Sequence, residues 1–516
     1  MVWQPEIEEL KYRESLAEQM GGKEGVERQH TAGKFTVRER IAKLVDPGTF
    51  QEIGKLAGSA RYEGDKLVGF TPSNTVIGIC EIEGRKVVLS GGDFTVRGGA
   101  ADAAVGNKSA YAEKTALEWK LPYIRLLDAT GGSVRTFEQI GRTYIPGGPG
   151  ANHAPLLLNT VPVVSIVLGS VAGLPAVQAC LAHFNIMVKK TTQVFVAGPP
   201  VVKAALGYDI PKEELGSEEV AVNSGVIDNV AESEDEAFNL VRRFLSYLPR
   251  NIDEIPQRTK SSDDPHRREE KLLSVIPRDK KKGYNPYQIL KWVMDQDSFF
   301  EITPGYGRSR VTGLARLDGY PVGVMINNPM FLGGSMDVTA GNKVIRFLML
   351  CDTFNLPIVY FADEPGFMVG LEAEKQGTLR VGARASCVTA LTRMPWISIV
   401  IRQLYGVAGG LSFRSGGMFR RIAWPSANWG SMHIEGGTMA AYRREISAAP
   451  DPEAKRVEIE RRLQAIASPY RTAEAFNIED IIDPRDTRPF LCDFIATAQS
   501  VIESQMGERS TLIYLP

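Results

Sequence analysis

Residues 76–88 read VIGICEIEGRKVV, and residues 311–323, 235 positions later, read VTGLARLDGYPVG. The same offset carries Gly98-Gly99 onto Gly333-Gly334, Asp102 onto Asp337 and Gly106-Asn107-Lys108 onto Gly341-Asn342-Lys343. It also carries Leu121-Pro122 onto Leu356-Pro357, Asp128 onto Asp363 and Gly131 onto Gly366. A further series, Pro162, Ser165-Ile166-Val167 and Gly173, recurs at an offset of 233 as Pro395, Ser398-Ile399-Val400 and Gly406. The chain therefore contains one unit twice, with a period far too long for a solenoid. Its 516 residues also exceed one ordinary core. Two halves of one fold each build a version of one site, so the molecule is expected to hold two related reactants.

Within each copy the pattern is strand, helix, strand. The run YIRLLDATGG (123–132) reads as a buried strand ending in a glycine turn, preceded by a helical stretch from about 109 to 120. Its counterpart IVYFADEPG (358–366) follows the helix of NKVIRFLMLCDTF. This is α/β grammar, a mostly parallel sheet covered by helices, in which ligands gather where strands hand over to helices. Residues 1–45 read as a helical arm broken at Gly21-Gly22, with Thr36 and Glu39 spaced as a capping box. The polar, charged and proline-containing stretch 253–284 reads as a linker. The expected domains are thus 1–252 and 285–516.

Composition excludes several classes. With 60 basic and 61 acidic residues the chain presents no field for nucleic acid or an anionic membrane. Five cysteines without paired spacing argue for a reducing compartment and against a zinc ribbon. The five histidines show no metal spacing, and the charged N-terminus carries no signal peptide, so a cytoplasmic protein is expected. Residues 154–182 lack formal charge, but Pro155, Pro162, Gly169, Gly173 and Pro175 make a buried strand, turn and helix a better reading than a membrane span.

Six stretches carry a resemblance. The arm GGKEGVERQHTAGKFTVRERIAKLVDPGTFQEI, the runs GGDFTVRGG and MVKKTTQVFVAGPPVVKAALG, LSYLP at 245–249, FADEPGFMVG and AWPSA at 423–427 occur in one order along nearly the whole chain. Together they resemble the carboxyltransferase β-subunits of biotin-dependent acyl-CoA carboxylases, of the propionyl-CoA carboxylase β type. The resemblance implies two crotonase-like domains in tandem and a homo-hexamer built from dimers. It further implies an active site shared between the N-terminal half of one subunit and the C-terminal half of another. The reactants implied are an acyl-CoA thioester and biotin borne on a separate carrier protein, with no metal in this subunit.

Such a reaction moves a carboxyl group between carboxybiotin and the α-carbon of an acyl-CoA. Negative charge develops on the thioester oxygen and on the ureido oxygen, and fixed backbone N–H groups at glycine turns suit both. No catalytic Ser, His or Asp set is required. By the resemblance, the acyl-side turn falls on Ala172-Gly173-Leu174-Pro175, with the N–H groups of Gly173 and Leu174 as donors. The biotin-side turn falls on Tyr405-Gly406-Val407-Ala408, with Val407 and Ala408 as donors. The loops holding Gly131, Gly132 and Arg135, and Pro365, Gly366 and Phe367, are implied to line the reactants, and Gly410 occupies the family's substrate-sorting position.

Departures from the family pattern sharpen these expectations. Pro175 has no N–H to give, and Leu174 replaces a glycine, which requires a negative φ there. The loop at 131–141 carries an extra residue, Gly410 suggests a roomier pocket, and SMHIEGGTMAA at 431–441 replaces a Val-Met-Gly-Ala run. Lys108 and Lys343 have two readings, as ligands of CoA phosphates or as ordinary helix residues. The chain has no Ala-Met-Lys-Met biotinylation motif and no ATP-binding glycine loop, so biotin carboxylase and biotin carboxyl carrier functions belong to partner chains. Two alternatives stand beside the carboxylase: the same subunit in a decarboxylase or transcarboxylase, and a non-catalytic structural homologue.

Overall fold

A computed structural model describes residues 2–145, 153–414, 416–508 and 511–516. The chain divides into two units, Met1–Asp253 completed by Tyr514–Pro516, and Glu254–Ile513.

The sheet of the first unit runs, in spatial order, through Gln51–Ile53, Thr75–Ile82, Arg85–Gly92, Tyr123–Leu127, Val163–Val167, Phe184–Val188 and Asn229–Ala231. The first three strands pair antiparallel and the rest parallel. The second unit repeats the plan with Phe300–Ile302, Arg310–Leu317, Tyr320–Asn327, Ile358–Glu364, Trp396–Tyr405, Phe419–Ala423 and Asp480–Ile481, and Asn428–Gly430 pairs beside the long strand. Single hydrogen bonds recur with the sequence offset: the N–H of Val88 donates to Pro122 O and that of Gly323 to Pro357 O, both at 2.9 Å. The N–H of Ala101 donates to Gly131 O at 2.9 Å and that of Met336 to Gly366 O at 3.0 Å. The central strands are buried along their whole length, as parallel strands covered on both faces must be.

The arm forms helices Gln4–Glu18, Gly22–Thr31 and Val37–Leu44. The last has its capping box: Thr36 Oγ1 accepts from the Glu39 N–H at 3.3 Å, and the Thr36 N–H donates to Glu39 Oε2 at 2.7 Å. In the uncharged stretch, a short helix His153–Leu158 precedes the strand, and the helix Leu174–Cys180 follows the turn. Among the described residues no helix is long and apolar enough to cross a membrane.

The stretch read as a linker is built into the second unit. Leu272, Val275 and Tyr284 lie in its main core. Its charges find partners, Arg267 on Asp263 at 3.1 Å and Arg268 on Asp486 at 2.8 Å. Charge density suggested a solvated connector; ion pairing and three spaced apolar residues make it packed structure instead. The chain end, placed in the second domain by the sequence, returns to the first unit. There the Tyr514 N–H donates to Asn159 Oδ1 at 2.7 Å, and its ring lies 4.3 Å from that of His183.

Candidate active site

Each half presents a glycine turn where a central strand hands over to a short helix. In the first unit Gly173, with φ 65° and ψ −131°, caps the helix Leu174–Cys180. In the second, Gly406, with φ 62°, opens the helix Gly406–Gly410. A positive φ at both repeat-related positions is the reason glycine stands there. Leu174 is not among the residues of positive φ and starts the helix, so its side chain is accommodated as the sequence required.

The first N–H groups of a helix have no partner within it, and no side chain caps either turn. At the second turn this leaves the N–H groups of Val407 and Ala408 with no acceptor among the described residues. On the acyl side one expectation is corrected. The Gly173 N–H donates to Val196 O at 3.0 Å and is spent, because the short parallel pair Ser170–Ala172 and Gln193–Phe195 brings Val196 alongside the turn. With Pro175 also lacking a donor, Leu174 keeps the open N–H. The sequence missed a second candidate: Gly132, exposed in the facing loop, whose N–H has no acceptor among the described residues and around which a Cβ would meet nothing within 4 Å.

Gly131, Gly132, Leu174 and Pro175 line one cavity of about 440 Å³ together with Tyr123, Arg125, Leu127, Tyr144 and Gln178. A second cavity of about 560 Å³ shares Thr75, Ala104, Ser109, Leu174 and Gln178 with it and extends past Lys108. At the matching places in the second unit, Thr75, Gly92, Arg125 and Ala129 become Arg310, Asn327, Tyr360 and Glu364. Those four side chains are buried and bond to one another: Arg310 pairs with Glu364, its Nη1 donates to Tyr360 Oη at 2.8 Å, and Tyr360 donates to Asn327 at 2.9 Å. Burial pushes the Glu364 carboxyl up from its ordinary range, against the pull of Arg310. The hollow that is open in one half is thus filled by polar side chains in the other.

The repeated aspartates end the strands that lead to the loops, and both are fully buried. Asp128 accepts from Lys34 at 3.0 Å and from Arg40 at 2.9 Å, both delivered by the arm. Asp363 instead accepts from Arg402 on the adjacent strand and from Tyr284 Oη at 2.9 Å. The arm thus holds Asp128, which lines the first cavity.

The remaining expected residues divide. Pro365 and Gly366 lie against the turn at Tyr405–Gly406: the Gly366 N–H donates to Glu364 Oε1 at 3.1 Å, and a Cβ on Gly366 would stand 3.9 Å from Tyr405 O. Phe367 packs on Gly382, leaving no room for a Cβ there. The Tyr405 ring turns inward, its hydroxyl donating to Asn428 Oδ1 at 2.7 Å. Gly410 faces open space. Arg135 is exposed on the helix Arg135–Ile140 and lines neither cavity. Lys108 opens its helix and lines the second cavity, with Nζ donating to Gly54 O at 3.1 Å. Lys343, five residues inside a helix that Asp337 caps, is buried and bonds the carbonyls of Thr303 and Tyr306, so its reading as a phosphate ligand falls.

Tandem crotonase-like domains, each with a glycine turn where a central strand hands over to a short helix, define the fold class. Residues 28–509 match the carboxyl transferase domain, and the chain belongs to that family. It is 33% identical over 99% of both chains to the propionyl-CoA carboxylase carboxyltransferase subunit of Haloferax mediterranei. It is 29% identical over 98% of both chains to the methylmalonyl-CoA decarboxylase α-subunit of Veillonella parvula. The crystal structure of the hexameric transcarboxylase 12S core with methylmalonyl-CoA and methylmalonic acid bound superposes with a TM-score of 0.87. That comparison gives 31% identity and covers 98% of this chain and 96% of the other.

Proposed function

We propose that this chain is the carboxyltransferase subunit of a biotin-dependent acyl-CoA carboxylase, moving a carboxyl group between carboxybiotin and the α-carbon of an acyl-CoA. The observation that carries the reading is the pair of repeat-related glycine turns, each leaving unspent backbone N–H groups, with an open cavity beside the first. The thioester belongs in the first unit, where the N–H groups of Leu174 and Gly132 face the enolate oxygen across one cavity. Lys108, partly desolvated so that its amine titrates below the ordinary lysine value, stands where the CoA end would lie.

The donors at Val407 and Ala408 fit a ureido oxygen, which accepts but carries no charge until the carboxyl group departs. When bound, carboxybiotin on its carrier supplies the activated carboxyl group. The chain's part is to fix the two oxygens and keep the turns rigid, so that no reorganisation accompanies the developing charge. The proposed assembly is a homo-hexamer, the state of the transcarboxylase 12S core that this chain resembles. A biotin carboxylase and carrier subunit are the partners.

The relatives include a carboxylase, a decarboxylase and a transcarboxylase, and the direction of transfer follows from the partner: an ATP-consuming one drives carboxylation. Leu174 at negative φ, with its N–H free, favours catalysis over a purely structural role.

The test is transfer by the purified oligomer with free biotin and a panel of acyl- and malonyl-type CoA thioesters, beside Gly406→Pro. Proline cannot adopt the positive φ of that position, so the variant should lose transfer while the oligomer persists. Full activity in Gly406→Pro would overturn the biotin-side assignment, and a folded wild-type oligomer inert toward every thioester would overturn the function.

A further inference from the structure

Both turns follow a short parallel pair, Ala172 opposite Phe195 and Tyr405 opposite Gly430, but they are tied to it differently. On the acyl side the Gly173 N–H ties the turn to Val196. The biotin-side helix is only five residues long and uncapped, and Val407 projects 71% exposed. A turn this short has little stability of its own, and N–H groups that must stay aimed need a supporting shell.

His433 adds a side-chain support to this turn beyond the Tyr405–Gly430 pairing. Its backbone is fixed as the residue preceding the helix Ile434–Ala441, where its carbonyl accepts from the Gly437 N–H at 2.8 Å. Its ring reaches back to two places at once: Nε2 lies 2.9 Å from Pro365 O, and the ring centroid lies 3.9 Å from that of Tyr405, tilted by 34°. A carbonyl only accepts, so Nε2 carries the proton in this contact. The Tyr405 ring it covers is held from the other end by Asn428, and Pro365 belongs to the loop that Glu364 ties through Gly366.

We propose that His433 is a positioning residue for carboxyl transfer: one imidazole clamps the Pro365 loop to Tyr405 and thereby holds the Val407 and Ala408 N–H groups in place. The inference rests on the reading of that turn as the biotin-side donor. It assigns a task to the segment SMHIEGG, and it gives the second unit its counterpart to the Gly173–Val196 bond.

The experiment uses the full oligomer with His433→Ala, His433→Gln and His433→Phe, assayed with free biotin and one productive thioester. Glutamine keeps an N–H donor for Pro365 O, and phenylalanine keeps the ring over Tyr405. The clamp predicts that His433→Ala lowers kcat by about tenfold or more, the scale set by loss of preorganisation. It also raises KM for biotin while leaving KM for the thioester and its calorimetric binding in place. His433→Gln should recover most of the kcat lost. If alanine does not assemble, glutamine against phenylalanine decides, with glutamine the more active. Unchanged kcat and biotin KM in His433→Ala, equal losses toward both substrates, or glutamine no better than phenylalanine would each overturn the proposal. Failure of the underlying reading is separate: it shows as an active Gly406→Pro, whereas a dead Gly406→Pro beside a healthy His433→Ala removes the clamp alone.

Discussion

Arg402 donates through Nε to both oxygens of Asp363, at 3.1 and 3.0 Å, and the repeat places Gly169 where that arginine would stand in the first half. There a Cβ would lie 1.9 Å from Asp128 Oδ1. The same buried carboxylate is therefore neutralised from the adjacent strand in one unit and from the arm in the other.

Gly169→Ala should accordingly destabilise by overpacking, about 1–3 kcal/mol, and more if the Asp128 cluster breaks. Denaturant unfolding monitored in the full chain measures it. A neutral Gly169→Ala would mean that the carboxylate has room to move.

Arg40 bonds Asp128 and Glu234 and the carbonyl of Leu168, all buried. Arg40→Met takes the buried cation from Glu234 and leaves Asp128 with Lys34 and Gln29, and should cost about 3–5 kcal/mol. Lys34→Met leaves Arg40 on Asp128 and removes an ammonium whose burial lowers its pKa, so its cost should be clearly smaller. The reverse order in unfolding experiments would contradict the assignment of Arg40 as the principal partner.

Gly410→Leu enters open space and should change stability by no more than about 0.5 kcal/mol. If position 410 sorts substrates, kcat/KM falls for the bulkiest thioesters by about tenfold relative to the smallest. An equal effect across a thioester panel would remove Gly410 from that role.

Hydrogen bonds from Arg485 hold Asp483 down to about 2, below its ordinary value of 3.8. A carboxyl depressed by folding stabilises the native state above the unfolded pKa, and that contribution fades as pH falls through the folded one. The stability gap between wild type and Asp483→Asn should thus hold steady near neutrality and close between about pH 4 and pH 2. A gap that persists at pH 2 would assign the effect to something other than charge.

Much of this was legible in the chain because the repeat is a statement about local structure. Strands at 76–88 and 311–323, the turns at 173 and 406 and the cap at Thr36 depend on neighbours a few residues away. What escaped reading depends on distant ones. The Gly173 N–H is consumed by Val196 only because a two-stranded pair forms beside the main sheet. Arg40 meets Asp128 across 88 residues of sequence, and nothing in VRERIAKL marks which arginine turns inward. Leu272, Val275 and Tyr284 were hidden among charges. His433 had no partner spacing to betray it, since its contacts are a backbone carbonyl and a ring.

The network of Arg310, Glu364, Asn327 and Tyr360 has a consequence for the history of the two copies. Restoring a hollow in the second unit would require losing Arg310 and Glu364 together, since either alone leaves a buried charge without its counterpart. Single substitutions lead downhill in stability from either direction, so the division of labour between the halves works as a ratchet. Once one copy had given up its chamber, only a coordinated double change could return it.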